Sequence, residues 1–317
     1  MNLKKLLAKK MSKKNFVLID GNAIMHRAYH ALPPLSSSDG TPTNVIYGFL
    51  SMLYKVVNDF SPFLIAVAFD TPKSTFRHKL FKDYQIQRPK IEDSFKQQIP
   101  LLKEALEAGK IYHLQKDGYE ADDVIGTICK IFSLNKDFNI IIISGDKDIF
   151  QLINDQVYVA APILGLTNIK IYDQKAVEEK LGITPQNIID YKALVGDPSD
   201  NYPGAKGIGP VTALNLINKF GNIDNLYKKI NQVESEKIKK ILLNEKGNIY
   251  LSKKLATIIT NVPIEIDIEK MKFNGFDKKL KDFLEKYQMN SLVKRIFDEK
   301  KSISVKKKKP LEQKTLF

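Results

Sequence analysis

The chain has 317 residues, of which 43% are hydrophobic, so it can bury a sizeable core in one large or two modest domains. Its 50 Lys and Arg residues outnumber its 36 Asp and Glu residues, and the net charge of +14 predicts a polyanionic partner, nucleic acid rather than membrane. The single cysteine, Cys129, excludes a disulfide framework within the chain, and the short apolar stretch near Met1 excludes a signal peptide, which predicts a cytoplasmic protein.

Short apolar runs alternate with stretches of helical spacing in the first half of the chain. After a basic N-terminal extension over residues 1–14, runs rich in Val, Ile and Phe at 16–19, 63–69 and 139–144 predict buried parallel strands. Residues 45–58, 93–108 and 121–133 have helical spacing. This alternation predicts an α/β core over residues 15–183, with a mostly parallel central sheet flanked by helices.

Two later changes of pattern predict the remaining organisation. Residues 71–100 interleave basic and aromatic side chains, which we interpret as a basic, mobile helical excursion. From residue 184 the pattern is helical with short turns, and this predicts a second, all-helical subdomain over residues 184–300. The lysine-rich segment 301–317 has little apolar content and is predicted to be disordered.

Acidic residues follow the predicted strands and begin or follow predicted helices. Each one alone is more often a turn or helix-capping residue. Because the carboxyl ends of parallel strands share one edge of a sheet, however, these acids should meet there. A group of carboxylates without His or Cys favours Mg²⁺ or Mn²⁺, and two such ions can clamp a phosphodiester. The candidate ligands are Asp20, Asp70, Glu120, Asp122, Asp123, Asp146, Asp148, Asp197 and Asp200.

A glycine-rich stretch at 196–209 precedes a predicted helix over residues 210–220. It resembles a helix-hairpin-helix motif spanning about residues 194–220. Small residues let backbone amides approach a phosphate, and the N-terminus of a helix adds its dipole. A plain turn between helices is the alternative. The predicted DNA contacts are Gly204, Lys206, Gly207, Ile208 and Gly209.

Six blocks of the chain together resemble the bacterial 5′-3′ exonuclease and flap endonuclease family, in particular the N-terminal nuclease domain of DNA polymerase I. The blocks read VLIDGNAIMHRAYHAL, AVAFD, FRHKLFKDYQIQRP, GYEADDVIGT, ISGDKDIFQL and VGDPSDNYPGAKGIGP. The resemblance covers about residues 15–292 and implies a two-metal nuclease whose ligands are the acids named above. It also implies a helical arch over residues 71–100 that admits a single-stranded 5′ flap. We assign Arg77, Lys82, Tyr84 and Arg88 of this arch to catalysis, with Tyr84 expected to stack on a base, and Arg27 to DNA contact.

One position departs from the family's pattern. Many relatives carry Tyr-Lys in the arch, whereas here Tyr84 is followed by Gln85. We hypothesise that Lys82 or Arg88 compensates for the missing lysine, with some loss of rate. The family's hairpin also implies a K⁺ ion held by backbone carbonyls near residues 206–209.

The resemblance implies a monomeric, Mg²⁺-dependent enzyme acting on DNA with 5′ flaps, nicks or ends and on RNA-DNA primer junctions. A stand-alone nuclease is expected, because the chain stops where a polymerase domain would begin. At the C-terminus, Gln313, Leu316 and Phe317 resemble the bacterial sliding-clamp-binding pentapeptide, with an arbitrary apolar end as the alternative.

Two rival functions use parts of the same sequence. One is a non-catalytic DNA-structure-binding protein that keeps the hairpin and arch. The other is a Toprim-type enzyme, suggested by Asp146 and Asp148 alone, which would need a Glu where Asp20 and Asp70 stand.

Overall fold

The centre of the computed structural model, which describes residues 13–89, 91–165 and 168–298, is a six-stranded sheet in the order β3-β2-β1-β4-β5-β6. The first five strands are parallel to one another, and β6 runs antiparallel to β5. The predicted mostly parallel α/β sheet is therefore confirmed. The strands are β1 (Lys14–Asp20), β2 (Leu64–Ala68), β3 (Tyr112–Leu114), β4 (Phe138–Ile143), β5 (Val157–Leu164) and β6 (Asn168–Tyr172).

Helices cover both faces of the sheet. Successive strand residues point to opposite sides, so each face carries apolar side chains that the helices bury. Phe16 and Leu18 belong to one buried cluster, and Val17 and Ile19 belong to another on the opposite face. Apolar side chains are therefore needed at consecutive positions of β1, which explains its continuous hydrophobic run. The helices of this part are α1 (Gly21–Ala31), α2 (Asn44–Phe60), α3 (Phe76–Leu80), α4 (Asp93–Lys96), α5 (Gln98–Ala108) and α6 (Ala121–Phe132).

Residues 76–89, here called the strap, contain only the short helix α3, followed by turns. The strap packs closely on the protein: Tyr84 is 3% exposed and shares a cluster with Tyr202 and Leu255. The backbone N–H of Gln85 also donates to the carbonyl of Asp200 at 3.0 Å. Residues 76–89 therefore contain less helix than predicted, and the mobility of this segment stays a prediction.

The second part of the chain is helical, in agreement with the prediction. In α9, Pro210 occupies the first helical position, where its missing N–H and fixed φ are favourable. In the part of the chain that the structure describes, no helix has both the length and the apolar run required to cross a membrane. The helices are α7 (Gln174–Leu181), α8 (Ile188–Val195), α9 (Pro210–Phe220), α10 (Ile223–Lys228), α11 (Glu236–Asn244), α12 (Lys246–Ala256), α13 (Ile268–Met271), α14 (Lys278–Lys286) and α15 (Asn290–Val293).

The last two helices return to the α/β core. Leu280, Phe283 and Leu284 form the apolar stripe of α14 at helical spacing and are buried in the same cluster as Ile19 of β1. Leu292 of α15 joins that cluster. This differs from the predicted helical subdomain over residues 184–300, because its final helices help to cover one face of the sheet.

Candidate active site

An acidic cleft of about 400 Å³ opens at the carboxyl ends of β1, β2 and β4. These strands are adjacent and parallel, so residues that follow them meet at one edge of the sheet. Helix α6 adds acids from its first turn, where the helix dipole favours negative charge. Five of the predicted ligands line this cleft: Asp20, Asp70, Glu120, Asp122 and Asp146.

Short hydrogen bonds hold these carboxylates in place. Asp20 accepts from the hydroxyl of Ser144 at 2.7 Å, and the same hydroxyl accepts from the backbone N–H of Asp146 at 3.0 Å. Asp70 accepts from the backbone N–H of Ala121 at 2.7 Å, which ties it to the start of α6. The three strand ends and α6 therefore position their acids as one unit.

Burial and mutual repulsion make the ionised acids costly. Burial raises the pKa of Asp20 to about 7, and repulsion from Asp70 and Asp146 contributes to the rise. Burial likewise raises the pKa of Glu120 to about 7 and that of Asp122 well above its usual range. Clustered carboxylates of this kind are stabilised by a cation, and a donor set made only of carboxylate oxygens suits Mg²⁺ or Mn²⁺.

A second acidic group contains Asp148, Asp197 and Asp200, each of which offers one carboxylate oxygen within 4.8 Å of those of the other two. The ammonium group of Lys192 contacts Asp148 and also donates to Asp197 at 2.6 Å. Burial raises the pKa of Asp148 to about 6, against the opposing effect of Lys192. Sequence reasoning missed Lys192, although its position five residues before Asp197, near the end of α8, was a signal.

The strap contacts the second acidic group through two side chains. Arg88 donates to one oxygen of Asp200 at 2.6 Å, and the hydroxyl of Tyr84 donates to the other at 3.1 Å. Arg88 and Gln85 also line the first cleft, whereas Lys82 is exposed and lies outside its lining. The structure therefore supports Arg88 but not Lys82 at the cleft. It corrects the stacking role of Tyr84, whose buried ring is not available to a base.

The predicted ligand Asp123 lies outside the cleft lining, and this corrects its assignment. It is fully buried and accepts from both terminal nitrogens of Arg77, at 2.7 and 2.9 Å. The Nε of Arg77 donates to the carbonyl of Leu255, and its Nη2 also donates to the carbonyl of Thr257, each at 2.9 Å. With its hydrogen bonds used in this way and 2% exposure, Arg77 is a structural residue rather than a phosphate contact.

The hairpin between α8 and α9 divides into anchoring and exposed residues. Gly204 is buried, and a Cβ there would lie 2.3 Å from the backbone nitrogen of Gly196, so only glycine fits. Ile208 is 4% exposed and anchors the hairpin in the core. Lys206, Gly207 and Gly209 are exposed at the N-terminus of α9.

Arg27 lies on α1, where it is partly buried and donates to the carbonyl of Gly165 at 3.0 Å. The predicted DNA contacts of the hairpin therefore differ in their exposure to solvent. Three hairpin residues are open to solvent, whereas Gly204 and Ile208 shape the hairpin from within.

Two family models together match most of the chain. The model "5'-3' exonuclease, N-terminal resolvase-like domain" matches residues 15–182, and "5'-3' exonuclease, C-terminal SAM fold" matches residues 183–279. The chain is 41% identical over 284 residues to the 5'-3' exonuclease of Aquifex aeolicus, covering 89% of this chain and 95% of that protein. It is 42% identical over 267 residues to DNA polymerase I of Bacillus subtilis, covering 84% of this chain but only 30% of that protein.

Solved structures agree in fold. The bacteriophage T5 5'-exonuclease with bound divalent metal ions (zinc) has a TM-score of 0.66 at 21% identity, covering 90% of this chain and 99% of that one. The catalytic core of Rad2 in complex with DNA substrate has a TM-score of 0.57 at 19% identity, covering 93% and 94%. By its sequence matches over both domains, the chain belongs to the 5′-3′ exonuclease family.

Proposed function

We propose that this protein is a 5′-3′ exonuclease and structure-specific 5′ flap endonuclease that hydrolyses DNA phosphodiesters with two divalent ions. The observation that carries the proposal is the presence of two neighbouring acidic groups, linked by the hydrogen bond from the backbone N–H of Asp148 to Asp146 at 2.8 Å, within a protein of net charge +14. Asp20, Asp70, Glu120, Asp122 and Asp146 would hold one ion, and Asp148, Asp197 and Asp200 the other.

Mg²⁺ is the proposed physiological ion, with Mn²⁺ as a substitute, because carboxylate oxygens are the ligands that both prefer. When bound, such ions activate a water molecule and stabilise the leaving oxygen of an in-line displacement. Arg88 lines the cleft and would donate to the scissile phosphate. Gln85, also in the lining, can donate a hydrogen bond there but supplies no charge.

The exposed hairpin would hold the duplex beside the cleft. Lys206 provides a charge, and Gly207 and Gly209 leave the N-terminus of α9 open to a phosphate. Such contacts position DNA without reading its sequence. A K⁺ ion on the carbonyls of residues 206–209 is part of this proposal.

A T5 flap endonuclease, solved as a pseudo-enzyme-product complex with DNA and metal ions, has a TM-score of 0.64 at 23% identity over 86% of this chain and 98% of that chain.

A 5′-labelled flap duplex tests the activity. With Mg²⁺, the wild-type protein should release short 5′ products, and Asp146→Asn should abolish release because it removes a carboxylate from the cleft. Asp59→Asn is the matched control, since the one ion pair of Asp59 among the described residues is with Lys55 on the surface of α2. If the wild-type protein binds the flap but releases nothing with Mg²⁺ or Mn²⁺, the alternative of a DNA-structure-binding protein is correct.

The cellular role proposed is removal of RNA primers and DNA repair, by a monomer in the cytoplasm.

Gln313, Leu316 and Phe317 lie outside the described residues, and we propose that they bind the sliding clamp. Deleting residues 313–317 should abolish capture of the protein by immobilised clamp while leaving cleavage of free flap duplexes unchanged. Equal capture of both forms would contradict clamp binding through this tail.

A further inference from the structure

Lys192 places a positive charge inside the second acidic group. Its ammonium contacts Asp148 and Asp197, and the side chains of these three residues are only 17%, 16% and 13% exposed. The third carboxylate, Asp200, is bound by Arg88 at 2.6 Å. Each carboxylate of the group therefore already has a cationic partner from the protein itself.

These contacts use one carboxylate oxygen of each residue that would bind a divalent ion. Mg²⁺ and Mn²⁺ bind carboxylates through the same lone pairs that accept hydrogen bonds from an ammonium group. Because the three ligand oxygens lie within 4.8 Å of one another, an ion between them would also meet the charge of Lys192 at close range. In the first cleft, Arg77 lies 3.3 Å from Glu120, but among the described residues Asp20, Asp70, Asp122 and Asp146 form no ion pair, so most of the ligands there have no cationic competitor in direct contact.

We propose that Lys192 is a resident cation that occupies the second divalent-ion site of the DNA-free protein and must move before an ion can bind there. This inference rests on the proposed two-ion function. It gives the two sites different affinities: the cleft site fills first, and the second site fills only when the ion outcompetes Lys192. A DNA phosphate would favour that exchange, because it offers Arg88 and the displaced Lys192 a new anionic partner.

A purely structural role for Lys192 gives the opposite expectation. If the lysine only holds the three acids in a binding geometry, its loss should weaken ion binding. Lys253 provides a matched control, because it also lies between two carboxylates, Asp190 and Asp224, at 3.0 and 2.8 Å. Neither of those acids belongs to the candidate metal groups, so replacing Lys253 should not alter ion binding.

Mn²⁺ binding to the full-length protein, measured by electron paramagnetic resonance of the free ion without DNA, tests the proposal. Wild type should show one tighter and one weaker site. In Lys192→Met the weaker site should tighten by at least about tenfold, or about 1.4 kcal/mol, because a competing charge-assisted contact is removed. The tighter site should be unchanged, and Lys253→Met should leave both sites as in wild type.

Lys192→Gln provides a second variant that keeps hydrogen-bonding capacity without the charge, and it should also tighten the weaker site. A weaker site that is unchanged or weakened in both folded variants overturns the inference. If both variants fail to fold even with saturating Mn²⁺, the ion does not replace Lys192, and the inference is also wrong. Wild-type protein that binds no Mn²⁺ at either site would instead refute the proposed two-ion function.

Discussion

The buried pair of Arg77 and Asp123 offers a quantitative test of the site's architecture. Arg77→Met removes four hydrogen bonds of 2.7–2.9 Å, two to the carboxylate of Asp123 and two to the backbone carbonyls of Leu255 and Thr257. Asp123 is fully buried and would lose its cationic partner without the guanidinium. Breaking a buried pair by removing one partner costs about 3–5 kcal/mol of unfolding free energy.

Urea unfolding followed by far-UV circular dichroism measures this loss. Lys55→Met is the matched control, because it breaks the partly exposed pair of Lys55 and Asp59, with side chains 30% and 32% exposed. That change should cost less than about 1 kcal/mol. The reasoning is refuted if Arg77→Met loses no more stability than Lys55→Met while its affinity for flap DNA falls, since Arg77 would then be a phosphate contact.

Other predictions concern the acids, the strap and the hairpin. Without metal, the melting temperature should fall as the pH rises from 5 to 8. The pKa values of Asp20 and Glu120 are about 7 in the folded state and lower in the unfolded state. The folded state therefore binds protons more tightly, and it loses stability as these two groups ionise. Saturating Mn²⁺ should remove most of that fall in differential scanning calorimetry, and an identical fall with Mn²⁺ would contradict ion binding in the cleft. In single-turnover cleavage, Gln85→Lys should raise the rate little if Arg88 already stabilises the phosphate. An increase of about a hundredfold or more, equivalent to about 3 kcal/mol, would show that Arg88 does not compensate for the missing lysine. Gly204→Ala should lower the melting temperature, because its Cβ would lie 2.3 Å from a backbone nitrogen, and an unchanged value would show that the hairpin relaxes freely.

Much of the fold could be predicted because its signals are local. The apolar run of β1 and the acid that ends it, Asp20, stand next to each other in sequence, and the parallel arrangement brings that acid to the same edge as Asp70 and Asp146. The acids of the second group follow the same strand as Asp146 or the end of a predicted helix. Predicting these positions requires only that each strand ends where its apolar run ends, and it needs no knowledge of long-range contacts.

The roles of neighbouring acids could not be predicted in the same way. Asp122 and Asp123 are adjacent on α6, yet the first lines the cleft and the second is buried against Arg77. Successive residues of a helix point in directions about 100° apart, but sequence does not show which direction faces solvent. Asp123 is buried because Arg77 is held against it by the carbonyls of Leu255 and Thr257, which are remote in sequence from both residues.

The return of α14 and α15 has a consequence for synthesis of the protein on the ribosome. Val17 and Ile19 are synthesised long before part of their covering, including Leu280 and Leu292. A nascent chain that has completed all six strands therefore still leaves an apolar sheet face partly open. At about 5–20 residues per second this exposure lasts several seconds, so interaction of the nascent chain with chaperones should end only when α15 has emerged.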